Sequence, residues 1–336
     1  MAYTTIDDPE LYFQTKLYTG TGSSLAVTLD GEEDMAPDMI WIKKRSDVGA
    51  HYIYDAVRGT FKHLNVDETT AENTDDSPYG LSAFSSNGFT IGTGGDVNGS
   101  SATQVAWCWK ANGTGSSNTD GTINTGATSA NTTAGFSINT YTGTATNATV
   151  GHGLGVVPQM IIVKNRSDGE GWIVYHSENT SAPETDILRL DRDLATADNA
   201  VWNDTAPTSS VFSIGTDSKT NANTHEYIAY CFAEKQGFSK FGSYTGNGSA
   251  TAPAWLLRKR TDSAQQWQIY DNKRDGYNGS MSELYTDGTD SDGTSNGVDF
   301  LSNGFKVTVS NGGMNTSGGT HIYIAFAEAP FVNSNG

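Results

Sequence analysis

The sequence predicts an all-β protein built from three tandem antiparallel β-sandwich units of jelly-roll type, with little helix. Three observations support this prediction: the composition, short apolar runs bounded by turn residues, and a repeat of the same landmarks. Of 336 residues, 36% are hydrophobic and 17% are charged, and 38 are glycine. In typical soluble domains ~25% of residues are charged, so this chain has an unusually low share of charged residues. The 10% of aromatic residues argues against disorder, because these residues give the chain a core to bury.

The repeat consists of five landmarks that occur three times in the same order. The spacing between them changes little from the first copy to the second, and the third copy is shorter. Runs of β-branched or aromatic residues bounded by Gly, Asn, Asp and Ser predict strands. The landmarks are a Tyr-Thr-Gly turn (18–20, 141–143, 244–246), an apolar run ending in a basic turn (39–47, 160–168, 254–262), a second strand (52–55, 173–176, 268–271), a late phenylalanine (89, 212, 305) and a closing aromatic strand (105–109, 228–232, 324–327).

The landmarks divide the chain into unit 1 (17–110), unit 2 (134–237) and unit 3 (238–336). Each unit has the length and strand pattern of an antiparallel sandwich. Residues 111–133 are almost entirely Gly, Ser, Thr, Asn and Ala, which predicts a flexible linker. Units 2 and 3 are joined by a short passage, so we expect them to pack directly.

Residues 1–16 form a predicted N-terminal arm that is acidic at first and apolar towards its end. Its apolar side chains are Ile6, Leu11, Tyr12 and Phe13. Such an arm is suited to dock on a neighbouring subunit. A frayed terminus is the alternative.

The formal charge of −18 excludes several functions. Nucleic-acid binding needs clustered cations, and an anionic membrane surface would repel the chain. We find no run of the ~18–20 apolar residues that a membrane span needs. The short acidic N-terminus does not resemble a secretory signal. Cys108 and Cys231 fall in the middle of strands and are expected to be buried thiols, so we expect synthesis in a reducing cytoplasm.

The basic turn is the most prominent local motif and contains Arg45, Arg166 and Arg260. These guanidinium groups could donate hydrogen bonds to sugar hydroxyls or carboxylates. The alternative is structural: each turn carries an aspartate that can cap nearby backbone N–H groups.

Exposed tryptophans would offer a platform on which sugar rings stack. Trp172, Trp202, Trp255 and Trp267 lie in or beside strands. Because Trp202 falls in a polar loop, we expect it to be the exposed one. The alternative for all four is a place in the core.

We expect no enzyme and no resident cofactor. The carboxylates form no pair of the kind that glycosidases use. The six histidines are scattered, without the spacing of metal ligands. Asp287, Asp290 and Asp292 could offer oxygens to Ca²⁺, although the spacing and terminal glutamate of an EF-hand are missing.

Several strings resemble those of virion proteins of marine tailed bacteriophages, including cyanophages, and the resemblance covers essentially the whole chain. The strings are 6–10 (Ile-Asp-Asp-Pro-Glu), 12–16 (Tyr-Phe-Gln-Thr-Lys), 150–155 (Val-Gly-His-Gly-Leu-Gly), 158–166 (Pro-Gln-Met-Ile-Ile-Val-Lys-Asn-Arg), 202–212 (Trp-Asn-Asp-Thr-Ala-Pro-Thr-Ser-Ser-Val-Phe), 230–234 (Tyr-Cys-Phe-Ala-Glu), 240–246 (Lys-Phe-Gly-Ser-Tyr-Thr-Gly) and 325–331 (Ala-Phe-Ala-Glu-Ala-Pro-Phe).

The resemblance implies a phage structural protein, made in the host cytoplasm and released by lysis. The leading hypothesis is a non-enzymatic tail fibre or tail-attached adhesin that binds a host surface glycan, with other virion proteins as partners. In this hypothesis the N-terminal arm and unit 1 attach the protein to the particle, and units 2 and 3 face outward. The candidate attachment residues are Ile6, Leu11, Tyr12 and Phe13. Fibres commonly form trimers, so a homotrimer is expected by analogy. A head decoration, cement or tail-shell protein without a receptor is the second hypothesis. A capsule depolymerase is the third.

Overall fold

The computed structural model describes residues 6–75, 78–246, 255–274, 278–295, 297–301, 304–310 and 312–327. The predicted fold class is confirmed: the described residues are nearly all β, in three antiparallel sandwich units, and contain two α-helices of four residues each. No helix among these residues is long and apolar enough to cross a membrane.

The strands follow the three units in chain order. Unit 1 contains β1 (Phe13–Thr19), β2 (Leu25–Thr28), β3 (Met39–Lys44), β4 (His51–Asp55), β5 (Lys62–Asn65), β6 (Asn73–Thr74), β7 (Leu81–Ser85), β8 (Gly88–Ile91), α1 (Gly95–Asn98) and β9 (Thr103–Trp109). β10 (Ala127–Asn131) precedes unit 2. Unit 2 contains β11 (Phe136–Thr142), β12 (Ala148–Gly151), β13 (Met160–Asn165), β14 (Ile173–His176), β15 (Asp186–Arg189), β16 (Ala197–Asp198), β17 (Val211–Ile214), α2 (Ser218–Asn221) and β18 (Glu226–Phe232). Unit 3 contains β19 (Ser239–Thr245), β20 (Trp255–Arg260), β21 (Gln268–Asp271), β22 (Met281–Tyr285), β23 (Gly293–Ser295), β24 (Val298–Leu301), β25 (Gly304–Val307) and β26 (Thr320–Phe326). The part of the chain that the structure describes also contains 3₁₀ turns at Pro9–Leu11, Pro183–Thr185 and Ala200–Trp202.

Each unit has one large sheet with the same strand order. The orders are β1-β9-β3-β4-β5-β6 in unit 1, β11-β18-β13-β14-β15-β16 in unit 2 and β19-β26-β20-β21-β22-β23 in unit 3. In unit 2, β10 adds a seventh strand beside β11. The first strand of every unit pairs with its last, antiparallel over seven residues. The opening and closing landmarks therefore lie side by side, although almost a whole unit separates them in sequence.

The large sheets are buried on both faces, which explains the continuous apolar runs. Along β3, Ile40 and Ile42 face a core shared with the small sheet β2-β8-β7. Met39 and Trp41 face the opposite way, into a core shared by all three units. Units 2 and 3 repeat this division with the small sheets β12-β17 and β24-β25.

The inner faces of the three large sheets enclose a single apolar core with pseudo-threefold symmetry. A small cavity at its centre is lined in part by Met39 and Trp41 of unit 1, Met160 and Ile162 of unit 2, and Trp255 and Leu257 of unit 3. Equivalent contacts run in a cycle around this core. In each seam, a ring N–H of one unit lies within hydrogen-bond distance of a backbone carbonyl of the next: Trp172 to Asn65 (2.8 Å), Trp267 to Arg189 (2.8 Å) and His51 to Tyr285 (3.0 Å).

The predicted flexible linker contains an ordered strand. β10, at 127–131, pairs antiparallel with β11, and Ser116 bridges to Thr128. The prediction of flexibility is wrong for this stretch because backbone pairing along a sheet edge does not need apolar side chains. Small uncharged residues therefore form a strand there as well as a linker elsewhere.

Of the predicted arm, the structure describes residues 6–16, and three of its apolar side chains belong to the central core or pack against it; residues 1–5 lie outside the described residues. Ile6 and Phe13 are 2% and 3% exposed and belong to that core, and β1 begins at Phe13. Tyr12 packs edge-on against Phe238, with ring centroids 6.0 Å apart. Leu11 alone among the four apolar side chains is exposed, at 36%. Three of the four candidate attachment residues thus hold unit 1 to the rest of the chain.

Candidate functional site

The basic turns of the three units are equivalent in a register that differs by one residue from the sequence comparison. Lys43 lies opposite Val105, Lys164 opposite Ile228, and Lys259 opposite Ile322. Lys259, and not Arg258, is therefore the third equivalent lysine. By the same register, Arg45 and Arg166 correspond to Thr261, while Arg260 corresponds to Lys44 and Asn165.

The three equivalent lysines lie in the seams between units. The Lys43 ammonium donates to the carbonyls of Lys44 (2.9 Å), Thr289 (3.1 Å) and Asp290 (2.7 Å), and the last two belong to unit 3. The Lys164 ammonium donates to Thr69 of unit 1 at 3.3 Å. Burial lowers the pKa of Lys43, Lys164 and Lys259 to about 8.

A chain of ionic contacts crosses the seam between units 1 and 3. Arg45 donates to Asp292 at 2.5 Å, and Asp292 also accepts from Arg274 at 2.9 Å. Arg274 pairs with Asp271 at 2.6 Å, and both side chains are fully buried. Asp271 accepts the indole N–H of Trp107 at 3.0 Å. We call this chain of contacts a relay.

The seam between units 2 and 1 repeats the relay at equivalent positions. Arg166 donates to Glu72 through two nitrogens, at 2.8 and 3.0 Å. Glu72 accepts from Arg58 at 3.3 Å, and Arg58 pairs with Asp55 at 2.5 Å. Asp55 accepts the Tyr230 hydroxyl at 2.8 Å. Hydrogen bonds from both arginines hold the pKa of Glu72 below its usual value despite burial.

The third seam, between units 3 and 2, places neutral residues at the same positions. The Thr196 N–H donates to the carbonyl of Thr261 at 2.9 Å, and its hydroxyl donates to Asn179 at 2.7 Å. His176 stands where Asp55 and Asp271 stand, and it lies 3.1 Å from the carbonyl of Tyr323. Ile324, which has no donor, replaces the donors Tyr230 and Trp107.

These contacts place all three predicted arginines within the chain's own ion pairs. Arg45 and Arg166 join units, and Arg260 pairs with Asp262 of its own turn at 2.8 Å. Asp47 and Asp168 each accept the following backbone N–H, at 2.8 and 2.7 Å. The structural alternative for the basic turn agrees with these contacts.

Trp202 is buried, so the expectation that it is exposed is wrong. It is 2% exposed, and its indole N–H donates to the carbonyl of Asp186 at 3.1 Å. Its ring packs edge-on against Tyr175 at 6.0 Å. A 3₁₀ turn within the polar loop directs the indole inward, which polarity along the sequence does not reveal. All seven tryptophans are at most 3% exposed.

The acidic residues considered for Ca²⁺ have other roles in the structure. Asp292 accepts from Arg45 and Arg274. Burial raises the pKa of Asp287 to about 6. Across the described ranges, no group of three or more His, Cys, Asp or Glu side chains is placed to hold a metal ion.

The three units differ on the outer faces of their large sheets. Unit 2 has two buried isoleucines there, Ile173 and Ile187, which belong to its apolar core. Unit 1 has Tyr52 and His63 at the equivalent positions, and unit 3 has Gln268 and Glu283. Since unit 2 folds with aliphatic residues, the polar groups of unit 1 are not demanded by the scaffold.

The unit 1 cluster consists of Lys44, Tyr52, His63, Asp75 and Asp96. The Tyr52 and His63 rings lie 4.6 Å apart. The Tyr52 hydroxyl donates to Asp96 at 3.2 Å, and Lys44 donates to the other oxygen of Asp96 at 2.9 Å. His63 Nδ1 lies 3.0 Å from Asp75. Asp96 is open to solvent, with 40% of its side chain exposed.

Charge and burial act together in this cluster. Burial and the neighbouring Asp96 raise the pKa of Tyr52, so its hydroxyl stays protonated and donates. Tyr79, which is 54% exposed, lies at the same end of unit 1, where its carbonyl accepts from Gly94 at 2.9 Å.

Sequence reasoning missed the cluster. Comparing the repeats position by position would have found it, because Tyr52 and His63 align with two isoleucines.

The fold and seams define a class: a single-chain, all-β protein in which three β-sandwich units share one core with pseudo-threefold symmetry. The chain belongs to the family described as a domain of unknown function, DUF7483, which matches residues 8–330. No curated protein matches the chain.

Proposed function

We propose that this protein is a non-enzymatic component of a phage virion appendage, a tail fibre or tail-attached adhesin, and that the unit 1 cluster binds a host surface saccharide. The observation that carries the proposal is the contrast between the units. Tyr52 and His63 occupy positions where unit 2 folds with Ile173 and Ile187. Residues that the scaffold does not need are available for a ligand.

The chemistry of the cluster suits a sugar. Tyr52 is partly exposed and packs against the unit 1 core, and the exposed part of its ring can contact the C–H groups of a pyranose. Asp96 can accept hydrogen bonds from hydroxyl groups, and Lys44 can donate them. Asp96 holds both partners in place, at 3.2 and 2.9 Å. A pre-ordered polar group loses less conformational entropy when it binds a ligand.

The assignment to a virion rests on the sequence resemblance, and two structural features support it. The common core ties the three units into one body, which suits a part that transmits force between particle and cell. The buried ion pairs use cations and anions in equal numbers, so the remaining charged groups carry the excess of −18 and repel polyanions such as DNA.

The test measures binding of purified full-length protein to polysaccharide from the host surface, with and without Ca²⁺. Tyr52→Ile and His63→Ile introduce the residues of unit 2, so the fold should tolerate them. Ile187→Val in unit 2 is the matched control. We expect at least a tenfold loss of affinity for the first two variants, about 1.4 kcal/mol, and none for the control. Saturable binding that both variants retain in full would refute the assignment of the site.

A structural role without a receptor is the second candidate, and a specific observation favours it. Arg45, Arg166 and Trp202, which the sequence offers as ligand contacts, are used inside the molecule. This role predicts no saccharide binding by the wild-type protein. It also predicts that the protein attaches to particles assembled without it.

A further inference from the structure

The outer edge strands of the three large sheets lie at equivalent positions, but the partners of their outward-facing N–H and C=O groups differ. The edge strands are β1, β11 and β19, each of which pairs with the last strand of its unit. In unit 2 the edge is covered by β10, which places Ala127 opposite Thr140, Ser129 opposite Ile138, and Asn131 opposite Phe136. An uncovered edge is a template for pairing with another chain.

The edge of unit 3 is closed by a charge. Glu234 accepts the outward N–H of Phe241 at 3.3 Å and pairs with Lys240 at 2.8 Å. Glu234 lies before β19 in the chain, and a charged group held at an outward N–H of an edge strand opposes pairing with a further strand there.

Among the residues that the structure describes, the edge of unit 1 has neither a paired strand nor a carboxylate bonded to its outward groups. The N–H of Lys110 donates to Tyr12, and that of Gly20 donates to Ala102, so the even-numbered residues of β1 bond to β9. Thr15 and Leu17 therefore direct their N–H and C=O groups away from β9. Within the ranges that the structure describes, these outward groups have no hydrogen-bond partner.

A groove runs beside this edge, between units 1 and 3. It is lined by Glu10, Phe13, Gln14 and Thr15 of the N-terminal part, by Asp30 and Gly31, and by Asn272 and Lys273 of unit 3. Phe13 and Thr15, beside the groove, are only 3% and 6% exposed. Leu17 is half-buried and Thr19 is exposed, so the edge becomes accessible towards the end of β1.

We propose that β1 binds an extended segment of a partner protein as an added antiparallel strand, rich in small uncharged residues. The residue types expected of the partner strand are those of β10, which covers the equivalent edge of unit 2. There the chain's own strand is Ala-Thr-Ser-Ala-Asn at 127–131, with Ser129 fully buried against its neighbours. The partner's residues opposite Leu17, Thr15 and Phe13 then correspond to Ala127, Ser129 and Asn131. This inference does not depend on saccharide binding.

The probe is a synthetic peptide with the sequence of residues 125–133, titrated into the full-length protein to millimolar concentration. The readout is the backbone amide signals in a two-dimensional NMR spectrum. We expect concentration-dependent shifts of the Thr15 and Leu17 amides, together with slower hydrogen exchange at both. Absence of shifts at these two amides would overturn the proposal.

Leu17→Pro should abolish these shifts. Its N–H points outward, so proline removes no bond to β9. The matched control is Ser243→Pro at the equivalent position of β19, where the edge is already closed and peptide binding to β1 should persist. Shifts of Thr15 that are the same in Leu17→Pro and in wild type would contradict strand addition. If Leu17→Pro fails to fold, Glu234→Ala provides a second test, since opening β19 should add peptide-dependent shifts at Phe241.

Discussion

The glycine of the Tyr-Thr-Gly landmark recurs because no side chain fits at its position. A Cβ on Gly20, Gly143 or Gly246 would lie 2.2 to 2.3 Å from a backbone carbonyl oxygen of the loop that precedes the last strand. The preceding tyrosine bonds to the same loop: Tyr18 to Val97 at 2.6 Å and Tyr141 to Thr220 at 2.7 Å. The landmark therefore marks a close contact of two loops rather than a ligand site.

Gly143→Ala should destabilise the protein by about 1–3 kcal/mol, the usual cost of overpacking. The new Cβ would lie 2.2 Å from the Ala222 oxygen and 2.9 Å from the Tyr227 ring. Gly95→Ala is the control, because its Cβ meets nothing within 4 Å. Urea unfolding measures both variants. Equal stability of the two would show that the loop yields without cost.

His176 makes the third seam sensitive to acid. Burial lowers the pKa of this buried imidazole to about 4, against 6.5 for a free histidine. Between pH 6.5 and 4 the unfolded chain binds a proton there that the folded chain does not. Stability from this group is therefore fully present above pH 6.5 and is lost as the pH falls towards 4.

His176→Asn removes this titration and keeps a donor for the Tyr323 carbonyl. The stability of wild type relative to the variant should fall by up to about 3 kcal/mol between pH 6.5 and 4. Urea unfolding at several pH values measures this difference. Burial raises the pKa of Asp67 and Asp287 to about 6, which favours folding at acid pH, but both proteins share this effect. Parallel pH curves would exclude His176 as the source.

At the scale of elements, the seams show which charges the fold requires. Two seams carry a relay with buried Arg–Asp pairs, and the third carries Thr, Asn and His at the same positions. The neutral seam joins units 2 and 3, which are also connected by a short passage of chain. One ionic seam joins units 1 and 2, which are connected by a long passage of chain. The other joins units 1 and 3, which are not consecutive in the chain. We interpret the relays as fixing which units meet, since breaking a buried ion pair is costly.

Glu72→Thr should cost about 3 kcal/mol, because it removes the carboxylate that Arg58 and Arg166 share in a mostly buried site. Arg58 then keeps only Asp55, and Arg166 keeps only the exposed Glu226. Arg166→Thr combined with Glu72→Thr reproduces the Thr261 and Thr196 pair of the neutral seam. The double variant should therefore be more stable than the sum of the two single variants predicts, by at least 1 kcal/mol. A double-mutant cycle of unfolding free energies measures this coupling. Additive effects would show that the pair does not act as a unit.

Strand identity was largely predictable, but the partners of edge strands were not. The runs at 39–44 and 160–165 were recognisable from residue type alone. β10 has no such signal, because Ala, Thr, Ser and Asn also form linkers. Its pairing with β11 depends on backbone groups, which every residue type carries.

At the scale of the whole molecule, the shared core makes the three units interdependent. Each inner face is apolar, and Phe13, Trp109, Trp255 and Phe326 pack together across the boundary between units 1 and 3. A separate unit would expose such a face to water at a cost of roughly 25 cal/mol per Å².

Thermal unfolding of the full chain should therefore be a single transition. Differential scanning calorimetry should give a calorimetric enthalpy equal to the van't Hoff enthalpy. Residues 6–110 expressed alone should lack cooperative unfolding. Three resolved transitions, or a cooperatively folded unit 1, would show that the units are independent domains.

The homotrimer expected by analogy with fibres stays a prediction. The chain supplies a pseudo-threefold arrangement within one molecule, through equivalent bonds such as Trp172 to Asn65 and Trp267 to Arg189. Light scattering coupled to size-exclusion chromatography determines the number of chains.

The sequence by itself determined the fold class, the triplication and most of the strands, because residue type and repeat spacing are local properties. It also predicted buried positions for Cys108 and Cys231. Only the tertiary structure decided where the units meet. Burial of Trp202, the use of Arg45 and Arg166 in the seams, and the register of Lys259 depend on contacts between residues far apart in the chain. Those contacts form because each large sheet has a second apolar face, and packing the three faces together is what removes all of them from water.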